Sequence, residues 1–179
     1  MKKEMIGYFL VLCAILASCN ESSGPVGEND KEGTYVNFAL NGPRENGVYT
    51  IEVTPNSNIF EHNMLVSTST FSKGTFGLGD SDTKQSVILN FPVKEGLFEL
   101  NDLNDMYHMT ITVNDRVFHA KTVSVHITHL KKNKYNPMKL AFFKGRFEGV
   151  MDFFYTEDRV EKWEDYTVYG DFQYTDTSY

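Results

Sequence analysis

The strongest constraint on the fold is a strict two-residue alternation of apolar and polar side chains near the end of the chain. Alternation with this period is typical of strands that have one buried face. It runs through residues 143–155 and 166–174, with a charged connection at 156–164 between them. Two such stretches in succession predict a long antiparallel hairpin. The predicted inward positions are Phe143, Gly145, Phe147, Gly149, Met151, Phe153 and Tyr155 on the first strand and Tyr166, Val168, Gly170, Phe172 and Tyr174 on the second.

A shorter hairpin is predicted around residues 114–115, because Asn and Asp both tolerate the positive φ of a tight two-residue turn. Such a turn pairs Ile111 with Phe118 and places both side chains on the buried face. A separate strand is expected next, at residues 122–129, with its valines and isoleucine pointing inward.

The same alternation recurs along most of the chain from residue 34 onward. No stretch of ten residues shows a convincing helical period, although residues 95–105 could hold one short helical turn. A length of 179 residues suits one domain with a proper core. We therefore expect a single all-β domain at residues 34–179. An antiparallel β-sandwich of about eight strands is the predicted architecture, and a β-barrel is the alternative.

The first 18 residues have the features of a lipoprotein signal peptide. Lys2 and Lys3 precede an apolar run of 11 residues at 6–16, which is shorter than the roughly 20 residues that cross a bilayer. The run ends in Leu-Ala-Ser-Cys at residues 16–19, which resembles a bacterial lipobox. The resemblance implies lipidation of Cys19 and cleavage just before it. An ordinary secretory signal or a short membrane anchor is the alternative.

Residues 19–33 then predict a lipidated Cys followed by a flexible tether rich in Ser, Gly and acidic residues. Processing would discard Cys13 and block Cys19, so thiol catalysis and thiolate metal sites are excluded. It would also change the net charge from -7 to -8. An acidic chain is a poor partner for nucleic acid, and the lipid rather than charge would hold it at a membrane.

Three segments resemble a set of small lipoproteins of the Bacteroidota. They are Thr-Val-Ser-Val-His-Ile-Thr-His-Leu at 122–130, Phe-Lys-Gly-Arg-Phe-Glu-Gly-Val at 143–150 and Tyr-Gly-Asp-Phe at 169–172. The resemblance covers about the C-terminal half. It implies an uncharacterised β-sandwich family of outer-membrane or surface lipoproteins, and it implies no activity. We expect a lipid-anchored protein of the cell envelope, at the outer membrane, with the periplasmic or surface face left open.

Three of the five histidines are candidate metal ligands. In the predicted hairpin Thr110 pairs with His119, so His108 and His119 share the outer face about 7 Å apart. His126 lies on the outer face of the strand expected next. Zinc needs three or four ligands, so all three histidines would have to converge. Solvated surface histidines are the alternative, and no cofactor is expected.

Acidic residues provide no catalytic pattern. Glu148 and Asp152 share a strand face, but an exposed ladder of ion pairs explains them more simply than glycoside hydrolysis does. Residues 80–82 and 101–105 offer oxygen ligands for calcium, although turn formation explains the same residue types. The Gly-x-Ser-x-Gly motif of serine hydrolases does not occur. No catalytic residue is assigned, and whether the protein is an enzyme is left open.

Aromatic residues crowd the C-terminal end, and two of them fall outside the predicted core face. Trp163 and Tyr169 are therefore the candidate binding residues, with edge packing of the sandwich as the alternative. The predicted function is a non-catalytic binding module that reaches the membrane through its lipid anchor and holds a protein or glycan ligand. An envelope hydrolase acting on glycans, or a structural subunit of an envelope complex, is the alternative.

The lipobox makes a direct prediction about Cys19. Cys19→Ala is expected to abolish incorporation of labelled palmitate and to release the protein from membranes, because the thiol that carries the lipid is gone. Fractionation of cells expressing each form measures both effects. Cys13→Ala supplies the control and should leave labelling intact. Unchanged membrane retention of Cys19→Ala would contradict the lipobox.

Overall fold

The computed structural model describes residues 33–55, 58–67, 72–101 and 106–176. The predicted signal peptide, Cys19 and the tether up to residue 32 lie outside these residues, as does most of the candidate calcium segment at 101–105. The described residues contain no helix, and hence none of the length and hydropathy that a membrane span requires. Their strands are β1 (Tyr35–Asn41), β2 (Asn46–Glu52), β3 (Ile59–Ser67), β4 (Ser72–Asp80), β5 (Gln85–Pro92), β6 (Gly96–Leu100), β7 (Met109–Val113), β8 (Arg116–Lys132), β9 (Leu140–Glu157) and β10 (Val160–Thr175).

All ten strands belong to one antiparallel sheet, in the order β2-β1-β10-β9-β8-β7-β5-β4-β3. The sixth strand, β6, pairs with β8 beside this path. The 17-residue strand β8 has room for both neighbours, because its first part pairs with β7 and its later part with β6. The prediction of an antiparallel all-β fold is confirmed, with ten strands in one continuous sheet.

The sheet curls so that its two halves face each other across one core. Phe76 of β4 packs against Phe143 of β9, with ring centroids 5.1 Å apart. It also packs against Phe172 and Tyr174 of β10, at 6.3 and 6.1 Å. Three strands separate β4 from β9 within the sheet. These rings can meet only because the sheet folds over on itself, so sandwich-like packing arises within a single sheet.

The long C-terminal hairpin is confirmed, and all 16 residues of β10 pair with β9. The charged connection expected at 156–164 is wrong, because β9 continues to Glu157 and β10 begins at Val160. Only Asp158 and Arg159 form the turn, with φ of 53° and 65°. Neither face of the hairpin is buried in the core here, so the alternation of buried and exposed side chains that reveals a strand is missing. Seven of the large residues predicted to point inward are at most 2% exposed, namely Phe143, Phe147, Met151, Tyr166, Val168, Phe172 and Tyr174. Phe153 and Tyr155, which were predicted on the same face, are only half-buried.

The hairpin at residues 114–115 is confirmed with its register, including the pair Ile111–Phe118. The separate strand expected at 122–129 is wrong, because it is the continuation of β8. A register shift between Ala120 and Thr122 adds one residue to β8. This bulge moves the buried positions from even to odd numbers. The change of phase in the sequence is therefore a bulge within one strand.

The short helical turn considered for residues 95–105 is also wrong for the described part of that segment. Strand β6 occupies Gly96–Leu100, with Leu100 buried in the core. The Glu95 carboxylate accepts a hydrogen bond from the backbone N–H of Leu130, 2.9 Å away. This contact fixes the start of β6 against β8.

Gly145 on β9 lies where the packing leaves no room for a side chain, which can be tested by substitution. A Cβ atom there would lie 2.4 Å from the carbonyl oxygen of His126 and 2.8 Å from Cζ of Phe172. Gly145→Ala is therefore expected to lower the free energy of unfolding by about 1–3 kcal/mol through overpacking. Urea unfolding followed by circular dichroism measures the change.

Gly77→Ala is the matched control for this substitution. Its Cβ would be 3.4 Å from Cβ of His62, an ordinary contact. The control should change stability by less than about 1 kcal/mol. Equal unfolding free energies for the two variants would show that the close approach of β8 and β9 at Gly145 is not a constraint.

Candidate functional site

The β9–β10 hairpin extends beyond the strands on both sides of it. Strand β8 pairs with β9 only as far as Phe153, and β1 pairs with β10 only as far as Thr167. Among the described strands, residues 154–163 therefore pair only with each other. We call these residues, together with Glu164 and Asp165 at their base, the distal arm. An isolated two-stranded hairpin is marginally stable in water, so the contacts on its two faces decide whether it stays in place.

Arg44, in the turn between β1 and β2, contacts the inner face of the distal arm. Its guanidinium lies over the Tyr155 ring, 4.0 Å from the centroid. Its Nε donates a hydrogen bond to Oε1 of Glu164 at 3.0 Å. Its Nη2 lies 3.8 Å from Oε1 of Glu157. We call Arg44, Tyr155, Glu157 and Glu164 the Arg44 latch, because they join the turn to the arm.

Glu164 accepts hydrogen bonds from three side chains. Besides Arg44, the hydroxyl of Tyr155 donates to its Oε1 at 2.9 Å and that of Tyr166 donates to its Oε2 at 3.0 Å. Burial raises the pKa of the Glu164 carboxyl, but these hydrogen bonds outweigh it and the pKa lies below its usual value. Burial and the neighbouring Glu164 raise the pKa of Tyr166. Both carboxylate oxygens therefore have donors within the protein, which indicates a structural role.

Glu45 attaches the same turn to the β7–β8 hairpin. Its Oε2 accepts a hydrogen bond from Nη1 of Arg116 at 2.9 Å, and Asn114 approaches both its carboxylate oxygens at 3.4 Å. The Tyr49 hydroxyl also donates to it, and burial with this contact raises the pKa of Tyr49 to about 12. The turn between β1 and β2 therefore holds two hairpin ends together.

The outer face of the distal arm carries an exposed aromatic pair. Trp163 and Phe154 are cross-strand partners, with ring centroids 5.0 Å apart and planes at 50°. They are 62% and 40% exposed. Val117 is also exposed, and it precedes Phe118, the partner of Phe153. Val117 therefore borders the pair on the outer face.

Two carboxylates flank Trp163 on this face, because side chains two residues apart on a strand point the same way. Asp165 pairs with Nζ of Lys121, at 2.7 and 2.9 Å from its two oxygens. Glu161 is exposed and forms no ion pair within the described part of the chain. The outer face of the arm is thus aromatic in the middle and acidic on both sides.

The two candidate binding residues lie on the same face of β10 but not together. Tyr169 is six residues from Trp163, about 20 Å along the strand. It is half-buried, and it pairs with Ala39 of β1 and Glu148 of β9. The sequence analysis did not identify Phe154, the cross-strand partner of Trp163, as a candidate binding residue. Its signal is the run Phe153-Phe154-Tyr155, which places a ring at a position where the alternation expects a polar side chain.

The three candidate metal ligands do not meet. His108 Nε2 lies 2.9 Å from Nδ2 of Asn90, whereas His119 and His126 lie seven residues apart on β8. Seven residues along a strand span roughly 20 Å. The segment that was expected to bring His126 beside the hairpin is instead the continuation of the strand that carries His119. Among the described residues, no three His, Cys, Asp or Glu side chains form a group able to hold a metal ion.

The acidic turn at residues 80–82 is accounted for by its own hydrogen bonds. Oδ1 of Asp80 accepts from the backbone N–H of Asp82 at 2.9 Å and of Thr83 at 3.5 Å. These contacts lower the pKa of the Asp80 carboxyl. Turn formation therefore explains why Asp residues occur at positions 80 and 82.

Comparisons with protein-family models, with curated proteins and with solved structures found no match to this chain. The distal arm is accordingly interpreted from its own chemistry.

The lowered pKa of Glu164 makes stability depend on pH. The stabilisation it contributes is complete above its ordinary pKa of 4.5 and is lost as the pH falls through the lower pKa of the folded state. Glu164→Gln should be less stable than wild type at neutral pH, and the difference should shrink on acidification. Urea unfolding between neutral and about pH 3 measures it.

Tyr155→Phe provides an intermediate variant for the same experiment. It removes one donor to Glu164 but retains the ring beneath Arg44. Its loss of stability at neutral pH should be smaller than that of Glu164→Gln. If Glu164→Gln and wild type differ by the same amount at every pH, the ionised carboxylate does not stabilise the arm.

Proposed function

We propose that this protein is a lipid-anchored, non-catalytic binding protein of the cell envelope, and that the outer face of the distal arm holds its partner. One observation carries the proposal: the large aromatic side chain of Trp163 is 62% exposed on an arm that projects beyond the sheet. Trp is among the residues most enriched in the energetic centres of protein interfaces. An outer-membrane lipoprotein of the Bacteroidota type remains part of the proposal.

The Arg44 latch supports a binding role because it presents the aromatic pair in a fixed position. Arg44 covers Tyr155 on the inner face while Trp163 and Phe154 occupy the outer face. A surface that is ordered before binding loses less conformational entropy when a partner docks. Because this entropy cost is lower, contacts from a few side chains of the arm can be enough to hold a partner.

The position of the arm also suits a protein anchored at its N-terminus. The Gly33 carbonyl accepts a hydrogen bond from Nε2 of Gln173, at the opposite end of β10 from the arm. Trp163 is ten residues from Gln173, which corresponds to about 30 Å along a strand. An anchor at Cys19 would therefore join the domain far from the aromatic pair and leave that surface accessible.

Hydrolysis is less well supported than binding. Glu157 and Glu164 are two carboxylates that meet the same guanidinium, that of Arg44. A hydrolase would need its two carboxylates free to protonate a leaving group and to activate water or attack the sugar. Here Arg44 lies against both, so this pair favours a structural interpretation.

Site-specific photo-crosslinking tests the proposal. A photoreactive phenylalanine analogue at position 163 is expected to form adducts with a partner in native cells, because Trp163 is at the centre of the proposed surface. The matched control is the same analogue at position 135, since Tyr135 is 77% exposed in the β8–β9 loop. Adducts from position 163 that exceed those from position 135 are the expected result. Equal adducts, or none from position 163, would contradict the proposal.

A further inference from the structure

We propose that the aromatic pair of the distal arm binds a Lys or Arg side chain of a partner protein. This inference rests on the proposed function and adds the chemical class of the partner. It is drawn from a comparison of the two faces of the arm, which carry the same kinds of groups.

The inner face shows how this chain binds a cation. The guanidinium of Arg44 lies over the Tyr155 ring, 4.0 Å from its centroid, with Glu164 and Glu157 beside it. Both components of that site stabilise a cation, because the ring face is electron-rich and the carboxylates are negative. The raised pKa of Arg44, caused mainly by its hydrogen bond to Glu164, agrees with this.

The outer face repeats these components around Trp163. Indole is the best aromatic face for a cation, and Glu161 and Asp165 flank it two residues away on either side. Asp165 already attracts one ammonium group, that of Lys121. In the described part of the chain, no cation–π contact is made to Trp163, so the ring remains available to a partner.

The geometry favours a cation over a neutral sugar. Trp163 and Phe154 are inclined at 50°, so they do not form the flat platform on which a sugar ring stacks. The polar groups beside them are mainly acceptors, whereas recognition of sugar hydroxyls also uses amide and guanidinium donors. A membrane surface with anionic lipids would be repelled by Glu161, which forms no ion pair among the described residues.

The charge of the whole chain agrees with this choice. The sequence carries a net charge of -7, which raises the rate of encounter with basic partners. Surface charges are largely screened beyond about 8 Å at physiological salt. Glu161 and Asp165 are each two residues from Trp163, about 7 Å along the strand, so we expect them to act on a cation bound at the ring.

Binding of a defined probe tests the inference. The probe is a short fluorescein-labelled peptide of alternating Arg and Gly, titrated against the full chain in a non-ionic detergent and followed by fluorescence anisotropy. Trp163→Leu keeps the apolar character but removes the π face, so it should weaken binding about fivefold or more, and Trp163→Phe should weaken it less. Glu161→Gln should weaken it about threefold.

Two controls separate this site from unspecific attraction to an acidic protein. Glu148→Gln removes the same charge from an exposed position on β9 outside the arm, and Tyr135→Ala removes an exposed ring elsewhere. Both should leave the affinity within about twofold of wild type. Trp163 is the single tryptophan, so its emission should also shift when unlabelled peptide binds. Circular dichroism of each variant verifies that the β structure is retained.

The inference is overturned if Trp163→Leu binds the probe as tightly as wild type. It is also overturned if Glu148→Gln weakens binding as much as Glu161→Gln, because the attraction is then unspecific. A shift of Trp163 emission with neutral oligosaccharides or phosphatidylcholine vesicles, but not with the peptide, would have the same meaning. Crosslinking from position 163 without peptide binding would refute this inference and leave the proposed function standing.

Discussion

Strands β9 and β10 pair along the whole length of β10, and the rest of the sheet extends from this hairpin on both sides. Its inward rings, including Phe143 and Phe172, meet Phe76 from the facing half of the sheet. The same hairpin extends beyond its neighbours as the distal arm. One continuous ladder of backbone hydrogen bonds thus organises the core and carries the exposed surface, so the two are mechanically connected.

The arm is held by interactions of a different kind. It has no neighbouring strand among the described ones, and its inner face depends on Arg44, whose ring contact and ion pairs lie near the surface. Exposed ion pairs alone contribute little, but stacking on Tyr155 and hydrogen bonds from two tyrosine hydroxyls to Glu164 strengthen this group. We therefore expect the arm to be less stable than the core, and its stability to depend on the ionisation of Glu164.

Local patterns predicted the two strands of the C-terminal hairpin, because its inward face has a period of two over most of its length. They did not predict β4 or β6. The register of the β7–β8 hairpin followed from two turn residues. The single sheet could not be predicted, since the bulge at Ala120–Thr122 looks like a break between two strands. The Arg44 latch was also out of reach, because Arg44 and Glu164 are 120 residues apart and nothing local relates them. Trp163 was found as a residue outside the core pattern, while its partner Phe154 was hidden inside a run of three aromatic residues.

The length of β10 has a consequence for where the aromatic pair would stand. Gly33 meets one end of the strand and the distal arm lies at the other, with a rigid ladder between them. For a chain anchored at Cys19, this ladder acts as a spacer that fixes the distance between the aromatic pair and the point where the tether joins the domain. Removing two residues from each strand would shorten this distance by about 7 Å, and it would leave the aromatic pair on the same face of the sheet. The length of the strands therefore sets the distance of the aromatic pair from the tether, and the two-residue period sets the face on which the pair lies.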